Sequence, residues 1–224
     1  MSIQEAPVPE PTPQPVGDSG DAIDPEVGTG KATAGRDYAD RLGRLELARW
    51  KRILDVQRPY RWNLRRLQLG RCLDVGCGIG RNLLNLGPDA IGVDHNADAI
   101  RVCRERGLTA YTTEEFAAID LPVGGFDSML IAHVLEHVDA GVGDSIITDY
   151  LPYLKPDAKI VVITPQEKGF TTDATHIRFV DHEGVKAHAA RLGLTVELAY
   201  SFPFPRIVGK VFPYNEFVTV LRRG

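Results

Sequence analysis

LDVGCGIGRN, at residues 73–82, is the end of an apolar strand that runs into glycines at positions 76, 78 and 80. Glycine has no Cβ, so these positions can adopt positive φ angles and bring backbone N–H groups against a ligand. Such a loop is typical of sites for nucleotide-like molecules, although taken alone it is equally a tight turn that needs glycine for its shape. A second motif is therefore needed before the loop predicts a function.

The segments on both sides of the loop alternate between strand and helix patterns. Seven strands are predicted at residues 71–75, 90–94, 108–111, 126–132, 159–164, 194–200 and 217–222. Helices are predicted to start near residue 81, to run from Asn96 to Gly107, to cover residues 147–154, and to run from Asp181 to Gly193. This alternation predicts an α/β fold, a Rossmann-like doubly wound sheet with helices on both faces.

The first 70 residues have a different character. Residues 1–36 combine many prolines with small polar residues, which predicts a disordered Pro-rich tail. Residues 37–70 predict an N-terminal helical cap, in which one helix is broken around Pro59 and a short second helix follows. We therefore expect a single domain at residues 37–224, with its core at residues 71–224.

The composition is that of a globular protein, with an apolar fraction of 43%. No apolar run approaches the roughly 20 residues that a membrane span needs. The N-terminus lacks the basic segment and apolar core of a signal peptide. The three cysteines have neither zinc-like nor CxxC spacing, which indicates a reducing compartment, so we expect a cytoplasmic protein.

Polar residues follow the predicted strands at the edge where a doubly wound sheet binds its ligand. Asp74 and the glycines end the first strand, and Asp94 ends the second. An acid about 20 residues beyond the start of such a loop can accept both hydroxyls of a ribose. Asp94 could instead be an acid favoured by a helix N-terminus. Loop and acid together predict a nucleotide-like cofactor more specifically than either does alone.

Four ordered segments carry a resemblance to a known family: LDVGCGIGRNL, GVDHN, FDSMLIAHVLEHV and LKPDAKIVVITP. They resemble the motifs of class I S-adenosylmethionine-dependent methyltransferases, in particular the ubiquinone-biosynthesis-like group (methyltransferase type 11/23). The resemblance is close over about residues 71–164, and it implies a seven-stranded sheet, mostly parallel with an antiparallel last strand. It also implies S-adenosyl-L-methionine as the cofactor. One departure is PDA at residues 156–158, where the family usually has a Pro-Gly-Gly turn.

The cofactor site implied by this resemblance lies along the strand ends. The family's aspartate after strand three is missing, so its bond to the adenine amine is carried over to Thr113 or Glu114. His133 falls at the donor-methionine end. The cofactor-binding residues that we predict are Asp74, Gly76, Cys77, Gly78, Gly80, Asn82, Asp94, His95, Thr113, Glu114 and His133.

Histidines after the fourth and fifth strands are the candidate catalytic groups. Methyl transfer needs positioning, exclusion of water and, for a hydroxyl acceptor, a base, which near neutral pH is most readily histidine. By the resemblance, His137 matches the catalytic histidine of phosphoethanolamine-type methyltransferases, and His176 lies on the acceptor side. We predict His137, His176 and Glu136 as catalytic residues, and methylation of a small-molecule acceptor at oxygen. His137 with Glu136 could instead only tie down a loop.

A metal site is the alternative use of the same region. Its ligands would be Glu136, His137, Asp139 and His176. The histidine and carboxylate count would satisfy a divalent ion. No i, i+4 ligand pair beyond His133 and His137 supports such a site, and the resemblance implies no metal, so none is predicted.

The C-terminal part supplies further surface groups. Aromatic rings at residues 201–214, interleaved with Arg206 and Lys210, suit an acceptor with an apolar body and an anionic group, although they could simply pack on the sheet edge. His182 and His188 are predicted to be solvated.

Two other functions compete with transfer to a small molecule. The net charge of −4 conceals a basic segment, residues 38–71, with ten basic and three acidic side chains. An RNA methyltransferase or nucleic-acid-binding module could use that segment, although no RNA-binding motif accompanies it. An NAD-dependent oxidoreductase would also combine a glycine turn with an acid, but its fingerprint is G-x-G-x-x-G, whereas here the third glycine comes one residue sooner.

Overall fold

The computed structural model describes residues 57–223, which contain one seven-stranded sheet. Its strands are β1 (Cys72–Val75), β2 (Ile91–Asp94), β3 (Ala110–Thr112), β4 (Phe126–Ala132), β5 (Leu154–Pro165), β6 (Leu194–Phe202) and β7 (Glu216–Arg223). Their order is β3-β2-β1-β4-β5-β7-β6, and β7 pairs antiparallel with both of its neighbours, whereas the other pairs are parallel. The predicted mostly parallel sheet with an antiparallel last strand is confirmed.

Helices cover both faces of this sheet, as predicted. They are α1 (Arg58–Leu67), α2 (Ala97–Glu105), α3 (Thr113–Ala118), α4 (Ala140–Tyr150), α5 (Glu167–Phe170) and α6 (His182–Arg191). On one face, buried side chains of α1 and α2 pack with those of β4 and β5; on the other face α3, α4 and α6 do so. Within residues 57–223, no helix is long and apolar enough to cross a membrane.

The central strands place the site. Every residue of β1 and β2 is buried, and all are apolar or glycine except Asp74 in β1 and Asp94, the last residue of β2. Burial on both faces is what a central parallel strand requires. The carboxyl ends of β1, β2 and β4 therefore lie side by side at one edge of the sheet.

The prediction of a helix that starts near Arg81 is wrong. Only a 3-10 turn, Leu83–Asn85, follows the glycine loop. The connection is too short for a regular helix, because Gly87 and Pro88 interrupt it soon after the glycine loop. The glycine loop therefore presents its backbone groups without a long helix behind it.

The bounds of two helices also differ from the prediction. The short helix predicted after Pro59 is α1, which begins earlier, at Arg58, so that Pro59 lies in its first turn, where the N–H that proline lacks would have no helical partner. The helix expected at residues 147–154 is α4, which begins earlier at Ala140 and gives way to a 3-10 turn at Leu151–Tyr153. The Pro-rich tail and the helix predicted before residue 57 lie outside the described residues.

Candidate active site at the carboxyl edge of the sheet

The glycine loop has the backbone geometry that its sequence predicts. The φ angles of Gly76, Gly78 and Gly80 are +74°, +52° and +81°. The N–H groups of Gly76 and Cys77 both donate to the carbonyl of Val93, at 2.8 and 3.1 Å, and so tie the loop to β2. A Cβ added at Gly76 would lie 2.3 Å from Cγ2 of Val134, so this position has neither the space nor the backbone conformation for another residue.

Asp94 is held in one orientation by two backbone groups. The N–H of Gly78 donates to Oδ2 and the N–H of Asn96 donates to Oδ1, both at 2.8 Å. Each carboxylate oxygen keeps lone-pair capacity for a further donor, because a carboxylate has about four acceptor sites. The side chain of His95 is exposed, with Nδ1 3.5 Å from Asp94 Oδ1. The carboxylate thus suits a bidentate ligand such as a diol.

The carboxyl group of Asp74 is buried, and neither of its oxygens has a hydrogen-bond partner among the described residues. Burial, followed by repulsion from Asp94, raises the pKa of Asp74 to about 8. A buried polar group without a partner costs free energy, so this carboxyl is ready for a ligand that brings a donor or a positive charge.

The remaining predicted cofactor residues lie near this edge with different orientations. Thr113 and Glu114 begin α3 directly after Thr112, which pairs with Asp94 across the sheet. The thiol of Cys77 is buried, and a Cβ added at Gly92 would approach its Sγ to 2.7 Å. The thiol of Cys77 is therefore packed inside the protein, and its N–H and carbonyl are bonded to Val93 and Gly80. Asn82, which precedes the 3-10 turn at Leu83–Asn85, makes no side-chain cap.

His133 is clamped between two carboxylates. Its Nδ1 lies 3.1 Å from Oε1 of Glu136, and its Nε2 lies 3.0 Å from Oε1 of Glu216. Desolvation opposes protonation, but the bonds to the two carboxylates prevail and raise the pKa of His133 to about 10. Carboxylate oxygens can only accept, so the protonated ring would donate from both nitrogens. The backbone of His133 is left-handed, with φ of +59°. A direct role in cofactor binding stays a prediction.

His137 lies in the 3-10 turn Leu135–His137 that follows β4, and it is buried. Its Nδ1 is 3.1 Å from the carbonyl oxygen and 3.2 Å from the hydroxyl oxygen of Thr175. That hydroxyl donates its own proton to Asp173, at 2.7 Å, so both Thr175 oxygens accept from Nδ1–H. Burial lowers the pKa of His137, and the neutral ring therefore carries its lone pair on Nε2.

The ring of His176 packs edge-on against the ring of His137. The two ring centroids are 4.8 Å apart, and the ring of His176 stacks on that of Phe170 at 5.4 Å. Nδ1 of His176 lies 2.7 Å from the carbonyl oxygen of Phe170, which can only accept, so Nδ1 is the donor. In its neutral form this ring also has its lone pair on Nε2. The structure therefore brings together the two histidines that the sequence places 39 residues apart.

Glu136 is the third member of the cluster that includes His137 and His176. Its side chain is fully buried, Oε1 is bound to His133, and Oε2 has no hydrogen-bond partner in the described part of the chain. One ligand atom from each of Glu136, His137 and His176 lies within 4.8 Å of the others. Asp139 is not part of this cluster, because its carboxylate accepts the N–H of Val142 as the N-cap of α4.

The expectation that both histidines of α6 are solvated is wrong for His188. The side chain of His188 has no exposed surface, and its Nδ1 lies 2.5 Å from Oδ1 of Asp144 on α4. His182 is half-buried, with Nδ1 2.9 Å from the hydroxyl of Thr219. Packing of α6 against α4 turns His188 inward, which the amphipathic pattern of α6 alone does not reveal.

Arg178 links this buried pair to the site. Its guanidinium lies 3.0 Å from Nε2 of His188 and donates to the carbonyls of Leu135 and Val138, each at 3.2 Å. The N–H groups of Ile177 and Arg178 also donate to the carbonyl of Glu136. The turn that carries Glu136 and His137 is therefore fastened to the segment that carries His176, a link that the sequence analysis missed.

The loop between β6 and β7, residues 203–215, offers less positive charge to an anionic acceptor than its sequence predicts. Arg206 forms a two-pronged ion pair with Glu167 and lies over the ring of Phe217, 4.8 Å from the centroid. Its charge is therefore already neutralised within the protein. Phe204, Ile207 and Tyr214 are exposed on the same loop.

Comparison with known proteins identifies the family to which these motifs conform. Residues 38–199 match the family model described as a methyltransferase domain. No curated protein matches the chain in sequence.

Solved structures share the fold at low sequence identity. A S-adenosylmethionine-dependent methyltransferase from Archaeoglobus fulgidus is 23% identical, with a TM-score of 0.55 over 76% of this chain and 99% of that chain. Magnesium protoporphyrin IX methyltransferase from Synechocystis, with bound S-adenosylmethionine, is 14% identical, with a TM-score of 0.56 over 92% and 100%. A S-adenosylmethionine-dependent methyltransferase from Aquifex aeolicus is 18% identical, with a TM-score of 0.53 over 76% and 95%.

Proposed function

The chain belongs to the family of methyltransferase domains and is an S-adenosylmethionine-dependent methyltransferase, and we propose that it methylates a hydroxyl oxygen of a small molecule. The cofactor supplies, when bound, an electrophilic methyl group on a sulfonium. What the chain itself must do is hold that cofactor, orient the acceptor and take up the hydroxyl proton.

The residues at the carboxyl edge fit this cofactor. The two-point carboxylate of Asp94 matches the two hydroxyls of a ribose, and the positive φ angles of the glycine loop let backbone groups approach a ligand closely. The partnerless carboxyl of Asp74 suits a positively charged ligand with N–H donors, which the methionine part of the cofactor provides. Adenine binding at Thr113 or Glu114 belongs to the same proposal.

The pair of imidazoles is the observation that carries transfer to oxygen. Both rings donate from Nδ1 to the protein, so each neutral ring keeps a lone pair on Nε2. In the proposed reaction the acceptor oxygen forms a bond to the methyl carbon as the carbon–sulfur bond breaks. The hydroxyl proton passes to an imidazole Nε2, with His137 as the first candidate. A neutral amine is a stronger nucleophile than a hydroxyl and can attack before it loses a proton, so it needs such a group less.

The alternatives have less support. Membership of the methyltransferase family weighs against an NAD-dependent oxidoreductase. The RNA-directed alternative rests on the basic segment 38–71, most of which lies outside the described residues. An anionic group on the acceptor is supported only weakly, since Arg206 is already paired with Glu167. A cytoplasmic location is consistent with the three cysteines, all of which are buried and unpaired.

Methyl transfer to a panel of acceptors tests the proposal. The purified chain is incubated with S-adenosylmethionine labelled in the methyl group, and phenols and alcohols are compared with amines of similar shape. His137→Asn is the sharpest variant, because asparagine can still donate to Thr175 from the position of Nδ1 but has no atom at Nε2. We expect methyl ether products, and a fall in kcat of about 10²- to 10⁴-fold in His137→Asn.

Cofactor binding provides the control. Calorimetry with S-adenosylhomocysteine should give the same affinity for wild type and His137→Asn, because the change lies on the acceptor side. His182→Asn, on α6, should retain full activity. Transfer to amines but not to hydroxyls, or unchanged kcat in both His137→Asn and His176→Asn, would contradict methylation at oxygen.

A further inference from the structure

We propose that Glu136, His137 and His176 bind a divalent first-row cation, of the Mn²⁺ or Zn²⁺ type, on the acceptor side of the cleft. One ligand atom from each of the three lies within 4.8 Å of the others, and two imidazoles with one carboxylate are a set that such cations favour. The sequence analysis predicted no metal here. The inference rests on the proposed function, since the cation would lie where the acceptor hydroxyl is to be held.

The two histidines are oriented as metal-binding histidines usually are. Such a residue generally donates from one ring nitrogen to a backbone carbonyl or carboxylate, which fixes the other nitrogen as the ligand atom. His137 donates to the carbonyl of Thr175, and His176 donates to the carbonyl of Phe170. In each neutral ring Nε2 is therefore the nitrogen that has a lone pair to offer to a cation.

Glu136 gives the independent reason to expect a ligand. The side chain is fully buried, yet Oε2 has no hydrogen-bond partner in residues 57–223. Leaving a carboxylate oxygen buried and unbonded is energetically unfavourable, because its interactions with water are lost and not replaced. Oε1 is already bound to His133, so Oε2 is the oxygen that a cation would engage.

The nearby charges are compatible with a cation. His133 lies between two carboxylates, with Nδ1 3.1 Å from Glu136 and Nε2 3.0 Å from Glu216, so acidic groups balance this ring beside the proposed site. The guanidinium of Arg178 is turned toward His188 and the carbonyls of Leu135 and Val138, and its N–H groups donate hydrogen bonds there.

A bound cation would change how the acceptor is activated. Three protein ligands leave coordination positions open, as in catalytic metal sites. An acceptor hydroxyl that occupies one of them loses its proton to solvent more readily, because the cation stabilises the oxygen anion. The bond changes of methyl transfer stay the same, but the imidazoles then serve as ligands, and the proton leaves to water instead of to Nε2.

Electron paramagnetic resonance of Mn²⁺ tests the site without relying on activity. The full chain is first stripped with a chelator and then titrated with Mn²⁺, whose free-ion signal falls as it binds. We expect one tight site per chain, from which added Zn²⁺ displaces Mn²⁺. Glu136→Gln and His176→Asn should each weaken Mn²⁺ binding at least tenfold, whereas His182→Asn should bind like wild type.

The outcomes separate this inference from the proposed function. Unchanged free Mn²⁺ signal in wild type, or wild-type affinity in both ligand variants, would overturn the cation site. Should buried Glu136→Gln unfold in a melting control, half-buried His176→Asn decides the question alone. Hydroxyl methylation that persists after chelator treatment, together with no Mn²⁺ binding, would leave the function and remove the site. Mn²⁺ binding without methylation of any hydroxyl would support the cation site and contradict the proposed function.

Discussion

The backbone N–H of Gly78 donates a hydrogen bond of 2.8 Å to Oδ2 of Asp94, and this bond joins the two halves of the proposed cofactor site. The residues are 16 positions apart in the chain, one in the loop after β1 and the other at the end of β2. Because the N–H of Asn96 holds Oδ1 in the same way, the carboxylate is oriented before any ligand arrives.

Asp94→Asn should weaken binding of S-adenosylhomocysteine at least about tenfold, a loss of about 1.4 kcal/mol. The amide nitrogen of asparagine cannot accept the N–H of Gly78 or Asn96, so either orientation of the amide breaks one of the two bonds and removes the charge. Isothermal titration calorimetry measures the change. Glu105→Gln, an exposed acid on α2, serves as the control, and equal affinities for the two variants would show that Asp94 does not hold the cofactor.

Gly76→Ala should destabilise the protein more than Gly107→Ala. Both glycines have φ near +75°, where a Cβ costs about 1–2 kcal/mol, but only at Gly76 does the new Cβ meet another atom, Cγ2 of Val134 at 2.3 Å. At Gly107 nothing lies within 4 Å.

Urea denaturation of the two variants measures this difference directly. Gly107→Ala should also keep its affinity for S-adenosylhomocysteine, whereas Gly76→Ala should lose it. Equal losses of stability would mean that the close approach to Val134 is relieved at no cost.

Asp74 should make the stability of the cofactor-free protein fall as the pH rises from about 4 to about 8. Its pKa is raised to about 8 in the folded state, against about 3.9 when unfolded, so the folded state binds the extra proton throughout that window. Stability that depends on the neutral carboxyl is complete below the unfolded pKa and is lost as the pH passes through the folded value.

Asp74→Asn should remove this part of the pH dependence. The free energy of unfolding of Asp74→Asn, measured in urea at several pH values, should therefore increase relative to that of the wild type as the pH rises. Asp89→Asn, which removes an exposed acid, should follow the wild-type curve. Parallel curves for wild type and Asp74→Asn would contradict the raised pKa.

His188→Gln should destabilise the protein by about 2–3 kcal/mol, because it disrupts a buried hydrogen-bond network with Asp144 and Arg178. Burial lowers the pKa of His188, so its stabilising contribution is present above the unfolded value of about 6.5 and is lost as the pH falls below it. The variant should also lower kcat, since Arg178 supports the turn that carries His137.

Thermal unfolding at pH 5 and pH 8, with activity at pH 8, checks both effects. His182→Gln, the matched change on the half-buried side of α6, should cost less and leave kcat unaltered. A stability loss without any change in kcat would separate the buried pair from the active site.

Local patterns in the sequence anticipate much of the fold and the positive φ angles of the glycine loop. The glycines, Asp94 and the strands lie close together in the chain, and their residue types reflect burial on both faces or positive φ angles. The prediction of a helix near Arg81 was wrong because Gly87 and Pro88 end the connection after a single 3-10 turn.

Long-range partners could not be anticipated in the same way. His188 looks like a surface residue until α4 brings Asp144 against it from 44 positions away. Glu216 gives no signal in its own segment, because only the pairing of β7 with β5 brings it 3.0 Å from His133. Similarly, the tautomers of His137 and His176 depend on carbonyls in a loop whose path the sequence does not specify.

The reversed direction of β7 determines which kind of residue it can contribute to catalysis. Parallel strands reach the active edge with their last residues, whereas β7 reaches it with its first, Glu216. The loop that enters β7 can therefore change in length without displacing the carboxylate of Glu216, because the ladder with β5 anchors the strand behind it. The contact between Glu216 and His133 thus depends on the sheet and not on the path of the loop.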